Sequence, residues 1–273
     1  MVRQGNIAKI DHLMSADRDM PYPDAGTKLR YLICSTPRCG SNLVCDFLQS
    51  TMLAGDPLEY LNRRFIAGYL RSKKFDANCR IDLNRYLGIM ERRRTSSNGY
   101  FGIKMHFEHL QSIFANDLSK SSDFLARFDQ VVVLRRRDKI AQSVSLHRAR
   151  VTQLWTSEDK RFLSSDELRG LREVEFHPEA IAKALQDIIV QEQAWDRILK
   201  QSGKSFEIIW HEDFISDPIA TKSTLLRMLG LPLDAKYLNL ASRVSRQSHD
   251  NDSLLESWRQ FIGCTYQESV NEQ

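Results

Sequence analysis

The amino-acid sequence predicts an α/β protein in which a parallel sheet is flanked by helices on both faces. Apolar runs of strand length alternate along the chain with stretches of helical periodicity, which is the pattern of repeated strand-helix units. The clearest run, QVVVL at residues 130–134, is β-branched and shows no alternation of apolar and polar residues. This is typical of a strand that is buried on both faces of a parallel sheet.

Four strands are predicted, at residues 31–34, 100–105, 130–134 and 206–210. Helical periodicity follows each strand. The longest predicted helix begins at Pro178, because proline suits the first turn of a helix, and its apolar stripe includes Ile189 and Trp195. Asp138 directly precedes the helix after the third strand and is predicted to be its N-cap. We interpret Trp195 as a core residue, because its neighbours share the apolar stripe.

The chain of 273 residues contains no linker, so we predict a single domain spanning residues 1–273. Residues 1–28 hold prolines and a glycine without sustained periodicity and are predicted to form an irregular lead-in. Insertions are predicted near residues 60–98 and 155–178. The predicted role of these insertions is to shape a substrate pocket.

The composition is that of a soluble globular protein, with 27% charged and 42% hydrophobic residues. No apolar run approaches the ~18 residues of a membrane-spanning helix, and the N-terminus lacks the apolar core of a signal peptide. We therefore predict a cytoplasmic protein without a transmembrane segment. The net charge of +4 is mild and its arginines are clustered, which suits a small polyanion and argues against a nucleic-acid partner.

The cysteines and histidines indicate neither a disulfide framework nor a metal site. There are five cysteines, an odd number, without C-x-x-C spacing. Cys39 remains a candidate nucleophile, because a thiol at a helix N-terminus can have a lowered pKa. His106 and His109 have the i, i+3 spacing of a ligand pair, but no third ligand is apparent, and no metal is predicted.

A short loop connects the first strand to its helix, and its residues indicate an anion site. We call residues 36–42 the anion loop, whose members are Thr36, Pro37, Arg38, Cys39, Gly40, Ser41 and Asn42. Gly40 permits a positive φ where the chain turns into the helix, so that the amides from Cys39 to Leu43 point into one concavity. With Arg38 beside them, these amides suit a phosphate or a related anion. An ordinary strand-helix turn is the alternative.

A second basic corner follows the third strand, from Arg135 to Ser145. Because the carboxyl ends of neighbouring parallel strands share one crevice, the two corners are expected to bind two ends of one anionic ligand. A nucleotide kinase is a competing interpretation. It is disfavoured because the anion loop lacks the G-x-x-x-x-G-K-[ST] pattern and the third strand ends in arginines where a magnesium-binding acid is expected.

These residues resemble the sulfotransferases that use 3′-phosphoadenosine 5′-phosphosulfate (PAPS). The anion loop is similar to their 5′-phosphosulfate loop, and residues 136–145 are similar to their 3′-phosphate segment. More specifically, the chain resembles the bacterial trehalose 2-sulfotransferase and lipopolysaccharide or Nod-factor sulfotransferase group. The G-x-P-x-E-[FY] pattern of that group matches residues 55–60, and its R-x-D-x-x-x-Q-x-V-S pattern matches residues 136–145.

The resemblance implies the sulfotransferase fold, a P-loop-like parallel sheet, and sulfuryl transfer from PAPS to a carbohydrate or glycolipid hydroxyl without a metal. Glu59 is the candidate general base, since a sugar hydroxyl must lose its proton as the new bond forms. A solvated loop acid is the alternative for Glu59. Arg38 stands where the wider family has a lysine and is assigned to the developing charge. Lys104 either assists the sulfuryl oxygens or has a structural role.

The cofactor-binding prediction comprises the whole anion loop together with Arg136, Ser145 and, in the tail, Arg246. Cys39 and Asn42 depart from the small hydroxyl residues that are usual in the family's loop. Two alternatives stay open, a non-catalytic nucleotide or anion-binding protein and, less favoured, the kinase. Trehalose and a lipopolysaccharide sugar remain candidate acceptors, and the resemblance is compatible with a homodimer.

Overall fold

A computed structural model of the chain describes residues 4–76, 79–169, 174–243 and 252–271. It contains one four-stranded parallel sheet made of β1 (Leu29–Ser35), β2 (Tyr100–His106), β3 (Gln130–Arg135) and β4 (Glu207–Trp210), in the order β2-β1-β3-β4. The α/β prediction and all four predicted strands are confirmed. Since β1 lies between β2 and β3, the loops that follow these three strands meet at one edge of the sheet.

Both faces of the sheet are covered, as the unalternating apolar strands predict. Leu32 and Cys34 of β1 belong to the hydrophobic core on one face, whereas Tyr31 and Ile33 belong to the core on the other face. All four side chains are fully buried. Successive side chains of a strand point to opposite faces, so an apolar residue is required at every position here.

Thirteen helices are present in the described residues. They are α1 (Gln4–Leu13), α2 (Ser41–Ser50), α3 (Arg63–Ser72), α4 (Leu83–Arg94), α5 (Phe107–Phe114), α6 (Leu118–Ala126), α7 (Lys139–Thr152), α8 (Ser165–Arg169), α9 (Pro178–Gln201), α10 (His211–Ser216), α11 (Pro218–Met228), α12 (Ala235–Leu238) and α13 (Asp252–Asn271). None of those in the described part of the chain combines the length and the apolar character that crossing a bilayer would need.

Several local predictions are confirmed. The Asp138 carboxylate accepts a hydrogen bond from the Ala141 amide at 2.8 Å, so it caps α7. Helix α9 begins at Pro178, and Trp195 on it is buried. The indole Nε1 of Trp195 donates to the Ser35 carbonyl at 3.0 Å, which fixes α9 to the end of β1. Trp195 is therefore a core residue.

The prediction of an irregular lead-in was wrong for residues 4–13, which form α1. This helix is held by distant parts of the chain. It packs against α3 and a 3₁₀ segment at Ser157–Phe162, and Lys9 donates to Thr156 Oγ1 at 2.7 Å. The apolar stripe assigned to α9 also included Ile189, but this side chain is 40% exposed, because α9 is covered on only part of its circumference.

Candidate active site

A cavity of about 650 Å³ opens at the carboxyl ends of β1, β2 and β3. Its size is within the range of small-molecule sites. Of the residues predicted for the site, it is lined by Pro37, Arg38, Gly40, Ser41, Asn42, Glu59, Lys104, Arg136 and Ser145. Thr36 and Cys39 lie in the same loop but are buried in the interior. Arg246 lies outside the described residues.

The anion loop has the conformation that an anion site requires. Arg38 and Gly40 both have positive φ angles, of 67° and 86°. The amides of Leu43 and Val44 donate to the Gly40 carbonyl, whereas those of Gly40, Ser41 and Asn42 donate no backbone hydrogen bond within the described ranges. The Ser41 amide faces the Cys39 thiol, so the amides of Gly40 and Asn42 are the ones available to an anion at the start of α2.

Gln142 of α7 holds this loop in place. Its side chain is fully buried, and Nε2 donates to Thr36 Oγ1 at 3.0 Å and to the Pro37 carbonyl at 2.8 Å. The helix after β3 is thereby fixed to the loop after β1. In the sequence, Gln142 stands out only as a member of the R-x-D-x-x-x-Q-x-V-S pattern. Its contact with Pro37 joins residues 105 positions apart, which a short pattern does not reveal.

Gly40 is required by both its backbone angle and its surroundings. A Cβ atom at this position would lie 2.4 Å from Nδ1 of His211. We expect Gly40→Ala to lower the free energy of unfolding by about 1–2 kcal/mol from the left-handed backbone alone, with the contact to His211 adding to the loss. Denaturant unfolding measures the effect. As the control, Gly88→Ala in α4 should stabilise the protein, since its Cβ would meet nothing within 4 Å; equal losses in both variants would contradict the interpretation.

Glu59 also lines the cavity, where it lies among cationic and polar groups. Lys104 Nζ is 2.7 Å from Glu59 Oε1, and His106 Nε2 is 3.4 Å from the same oxygen. Asn62 Nδ2 donates to Glu59 Oε2 at 2.8 Å, and His109 Nε2 is 3.9 Å away. The two histidines were considered only as metal ligands in the sequence, but here they surround the carboxylate.

These neighbours keep Glu59 ionised. Burial alone would raise the pKa of its carboxyl, but Lys104 and then His106 outweigh burial and hold this pKa well below its usual value. Burial likewise disfavours the charged form of Lys104, yet the Glu59 carboxylate raises the pKa of this ammonium. Burial lowers the pKa of His109 to about 3, so its ring is neutral at physiological pH.

Lys104 connects the carboxylate to the anion loop. Besides Glu59, its ammonium contacts Asn42 Oδ1 at 2.5 Å, and its side chain is 4% exposed. Asn42 is one of the two departures from the usual family loop, and its side-chain oxygen gives this lysine a second partner. An ionised carboxylate, an ammonium and the start of α2 are thus joined in one hydrogen-bonded chain.

Arg38 contacts the α7 side of the cavity. Its Nε donates to Ser145 Oγ at 2.9 Å, and its Nη1 donates to the Trp155 carbonyl. Burial lowers the pKa of this guanidinium to about 10, which leaves it protonated at neutral pH. The structure thus brings Arg38 to Ser145, whereas Lys104 is the cation at Glu59. Arg136 also lines this side, with its Nε 4.0 Å from Glu212 Oε1.

Nucleophilic thiol chemistry is not favoured at this site. Cys39 is buried, and burial raises the pKa of its thiol, so the reactive thiolate is disfavoured. Within the described ranges, no three His, Cys, Asp or Glu side chains are grouped so that they could hold a metal ion.

Residues 155–159 were predicted only as part of an insertion, and four of them, Trp155, Thr156, Ser157 and Asp159, line the cavity. Asp159 is buried, accepts hydrogen bonds from the amides of Trp155 and Thr156, and forms an ion pair with Lys9 of α1. Trp155 lines the cavity. The sequence signal for this arrangement was limited to a Thr-x-x-Asp capping pattern at residues 156–159.

The cavity at the strand ends of this parallel α/β sheet brings together loop amides, an ammonium and an ionised carboxylate. This combination is typical of an enzyme that transfers an anionic group. The family model described as Stf0 sulphotransferase matches residues 30–260. The chain therefore belongs to the Stf0 sulphotransferase family, and its class of reaction is sulfuryl transfer.

Among solved structures, the chain matches several sulfotransferases at low similarity. One is the sulfotransferase domain from the curacin biosynthetic pathway, at 16% identity and a TM-score of 0.46 over 85% of this chain and 90% of that chain. Another is the sulfotransferase from Alicyclobacillus acidocaldarius, at 12% identity and a TM-score of 0.45 over 86% of this chain and 92% of that chain. A third is the mouse sulfotransferase SULT7A1 complexed with PAP, at 10% identity and a TM-score of 0.42 over 93% of this chain and 78% of that chain. No curated protein sequence matches the chain.

Proposed function

We propose that the protein transfers the sulfuryl group of PAPS to a hydroxyl of a carbohydrate or glycolipid, with Glu59 as the general base. The observation that carries this proposal is the position of Lys104. Its ammonium lies between the Glu59 carboxylate and Asn42 of the anion loop, at 2.7 and 2.5 Å. The base for the acceptor hydroxyl and the site for the donor are therefore adjacent.

The residues present fit such a donor. The amides of Gly40 and Asn42 and the Lys104 ammonium suit the 5′-phosphosulfate, which supplies the activated sulfuryl group. Arg136 and Ser145 line the same cavity and suit the 3′-phosphate. Ser143, two residues before Ser145, donates its hydroxyl to the Ile140 carbonyl at 2.8 Å and is therefore engaged within α7.

Glu59 accepts the proton of the acceptor hydroxyl while the oxygen forms its bond to sulfur. The bond between sulfur and the phosphate oxygen breaks, its electron pair remains on the departing phosphate, and PAP and the sulfate ester are the products. Negative charge grows on the departing oxygen, and Lys104 with the loop amides stabilises that charge. No covalent intermediate with the protein is required.

Lys104 also links donor binding to the strength of the base. In the resting structure it holds the pKa of Glu59 well below its usual value, which keeps the carboxylate charged but makes it a weak proton acceptor. As charge grows on the donor, the ammonium is shared with a second anion. Its effect on Glu59 then weakens, and the pKa of the carboxyl rises toward that of a useful base.

The first acceptors to test are trehalose and lipopolysaccharide sugars. The proposal also includes a cytoplasmic reaction and a homodimer. Sulfation of a cell extract with radiolabelled PAPS, followed by identification of the labelled product, tests the acceptor class. Size-exclusion chromatography with light scattering tests the dimer.

Binding of PAP tests the donor part of the proposal. We expect Arg136→Ala to weaken PAP binding by about 2 kcal/mol, because it removes a charged partner of the 3′-phosphate whose side chain is only 14% exposed. Isothermal titration calorimetry measures the change. Arg137→Ala is the matched control, since this neighbouring arginine is half exposed and paired with Asp213.

Three further titrations make this experiment decisive. AMP, which lacks the 3′-phosphate, should bind more weakly than PAP to the wild type and should bind equally to wild type and Arg136→Ala. ATP with Mg²⁺ should bind no better than AMP. Preference for ATP with Mg²⁺ would refute the sulfotransferase donor, and tight PAP binding without transfer to any acceptor would favour a non-catalytic binding protein.

A further inference from the structure

We infer that the acceptor carries an anionic group that Arg63 and Arg64 bind beside the general base. The anion is a phosphate, a carboxylate or an existing sulfate ester on the acceptor. This inference rests on the proposed function, since it concerns the acceptor side of that site. The alternative is that the two arginines only solvate the beginning of α3.

Both arginines are fixed close to Glu59 by the local backbone. The Asn62 amide donates to the Glu59 carbonyl at 2.8 Å, and the Asn62 side chain donates to the Glu59 carboxylate. Its Oδ1 also accepts a hydrogen bond from the Arg64 amide at 2.9 Å and caps α3. Arg63 and Arg64 therefore follow the base by one rigid turn, and both line the cavity.

The charges around Glu59 leave these two cations in excess. Lys104 is neutralised by Glu59, and Lys9 is neutralised by Asp159. Within the described residues, Arg63 and Arg64 have no acidic partner.

The surroundings of Arg64 are neutral. Its Nη2 donates to the amide oxygen of Gln153 at 3.1 Å, and its guanidinium lies 5.9 Å from the centre of the Trp155 ring. The remaining acid of this part of the cavity, Glu108, has a side chain that is 53% exposed. Together, the two arginines therefore leave this part of the lining with an excess of positive charge.

The position of these arginines in their helix supports a ligand. The first turn of a helix disfavours cations because the peptide dipoles place positive charge there. Helix α3 has no acidic residue in its first turn and begins with two arginines. A bound anion offsets this arrangement, and the planar guanidinium is suited to hold a phosphate or carboxylate by two hydrogen bonds.

Matched acceptors test the inference. Trehalose is compared with trehalose 6-phosphate, and methyl β-glucoside with methyl β-glucuronide, so that a phosphate and a carboxylate source are distinguished. We expect the anionic member of at least one pair to have a KM lower by about tenfold or more, as a charge-assisted contact provides. Raising the salt concentration should reduce this preference.

The variants separate charge from structure. The double variant Arg63→Gln, Arg64→Gln should lose the preference for the anionic acceptor while its KM for the neutral partner stays within about threefold. The variant with both residues replaced by lysine should keep part of the preference. As the control, Arg197→Gln with Arg227→Gln removes the same charge from exposed positions of α9 and α11 and should change nothing. Thermal unfolding and PAP affinity are measured for every variant.

The outcomes distinguish the inference from the function on which it rests. Equal KM values for neutral and anionic acceptors in a wild type that binds PAP and transfers sulfate would overturn the inference alone. Weaker PAP binding in the double glutamine variant would also overturn it, because the arginines would then belong to the donor. Absence of PAP binding in the wild type would refute the proposed function and the inference together.

Discussion

Replacement of Glu59 by glutamine is expected to reduce kcat by about 10²–10⁴-fold while PAP still binds. The amide has nearly the same shape as the carboxylate, but it cannot accept the proton of the acceptor hydroxyl. Glu59 itself supplies none of the proposed donor contacts, and removal of its negative charge leaves Lys104 free to interact with an anion. Steady-state kinetics and PAP calorimetry on the same preparation measure the two effects.

Glu108→Gln is the control for this experiment. Its carboxylate belongs to the same cavity and lies 3.9 Å from His109, but its side chain is half exposed. We expect its kcat to stay within about threefold of the wild type, as for most surface substitutions. If Glu59→Gln retained kcat at the level of Glu108→Gln, Glu59 would be a solvated loop acid and another group would have to take the proton.

The sheet could be predicted from the sequence because each strand is specified locally. Residues 130–134 are apolar at every position, and both faces of β3 are buried in the structure. Helix α1 could not be predicted in the same way. It is a short helix whose stability depends on contacts with α3 and with Ser157–Phe162, about 150 residues further along the chain. Contacts between such distant segments leave little periodicity to detect.

The anion loop and Glu59 were predicted because their chemistry is concentrated in short patterns. The positions of the side chains within the cavity were harder to predict from the sequence. Arg38 was expected at the developing charge, but its contacts are with Ser145 and Trp155, which are 107 and 117 residues away. The partnership of Lys104 with Asn42 and Glu59 likewise depends on the register between β1 and β2, which a single sequence does not specify.

Replacement of Lys104 by methionine is expected to lower the free energy of unfolding by about 3 kcal/mol, because it leaves the partly buried Glu59 carboxylate without its main counter-charge. Lys183→Met is the control. Its lysine pairs with Asp187 at 3.1 Å on the surface of α9 and should contribute less than about 0.5 kcal/mol. Denaturant unfolding at pH 7 measures both changes.

The pH dependence of the free energy of unfolding provides a second test of the ion pair between Lys104 and Glu59. In the wild type, the folded-state pKa of Glu59 lies below the unfolded value of about 4.3, so the stabilisation is complete above that pH and is lost as the pH falls through the folded-state pKa. Without Lys104, burial raises the pKa of Glu59, and the loss of stability below this pH should be smaller. The acidic limb of the kcat profile should move to higher pH for the same reason.

A double variant decides whether the effect of Lys104 acts through Glu59. Combining Lys104→Met with Glu59→Gln removes the charge that was left uncompensated, so the double variant should be more stable than Lys104→Met alone. If the two losses simply added, the lysine would stabilise the protein through its contact with Asn42 in the anion loop instead. That result would separate Lys104 from the base and remove the proposed link between donor binding and the pKa of Glu59.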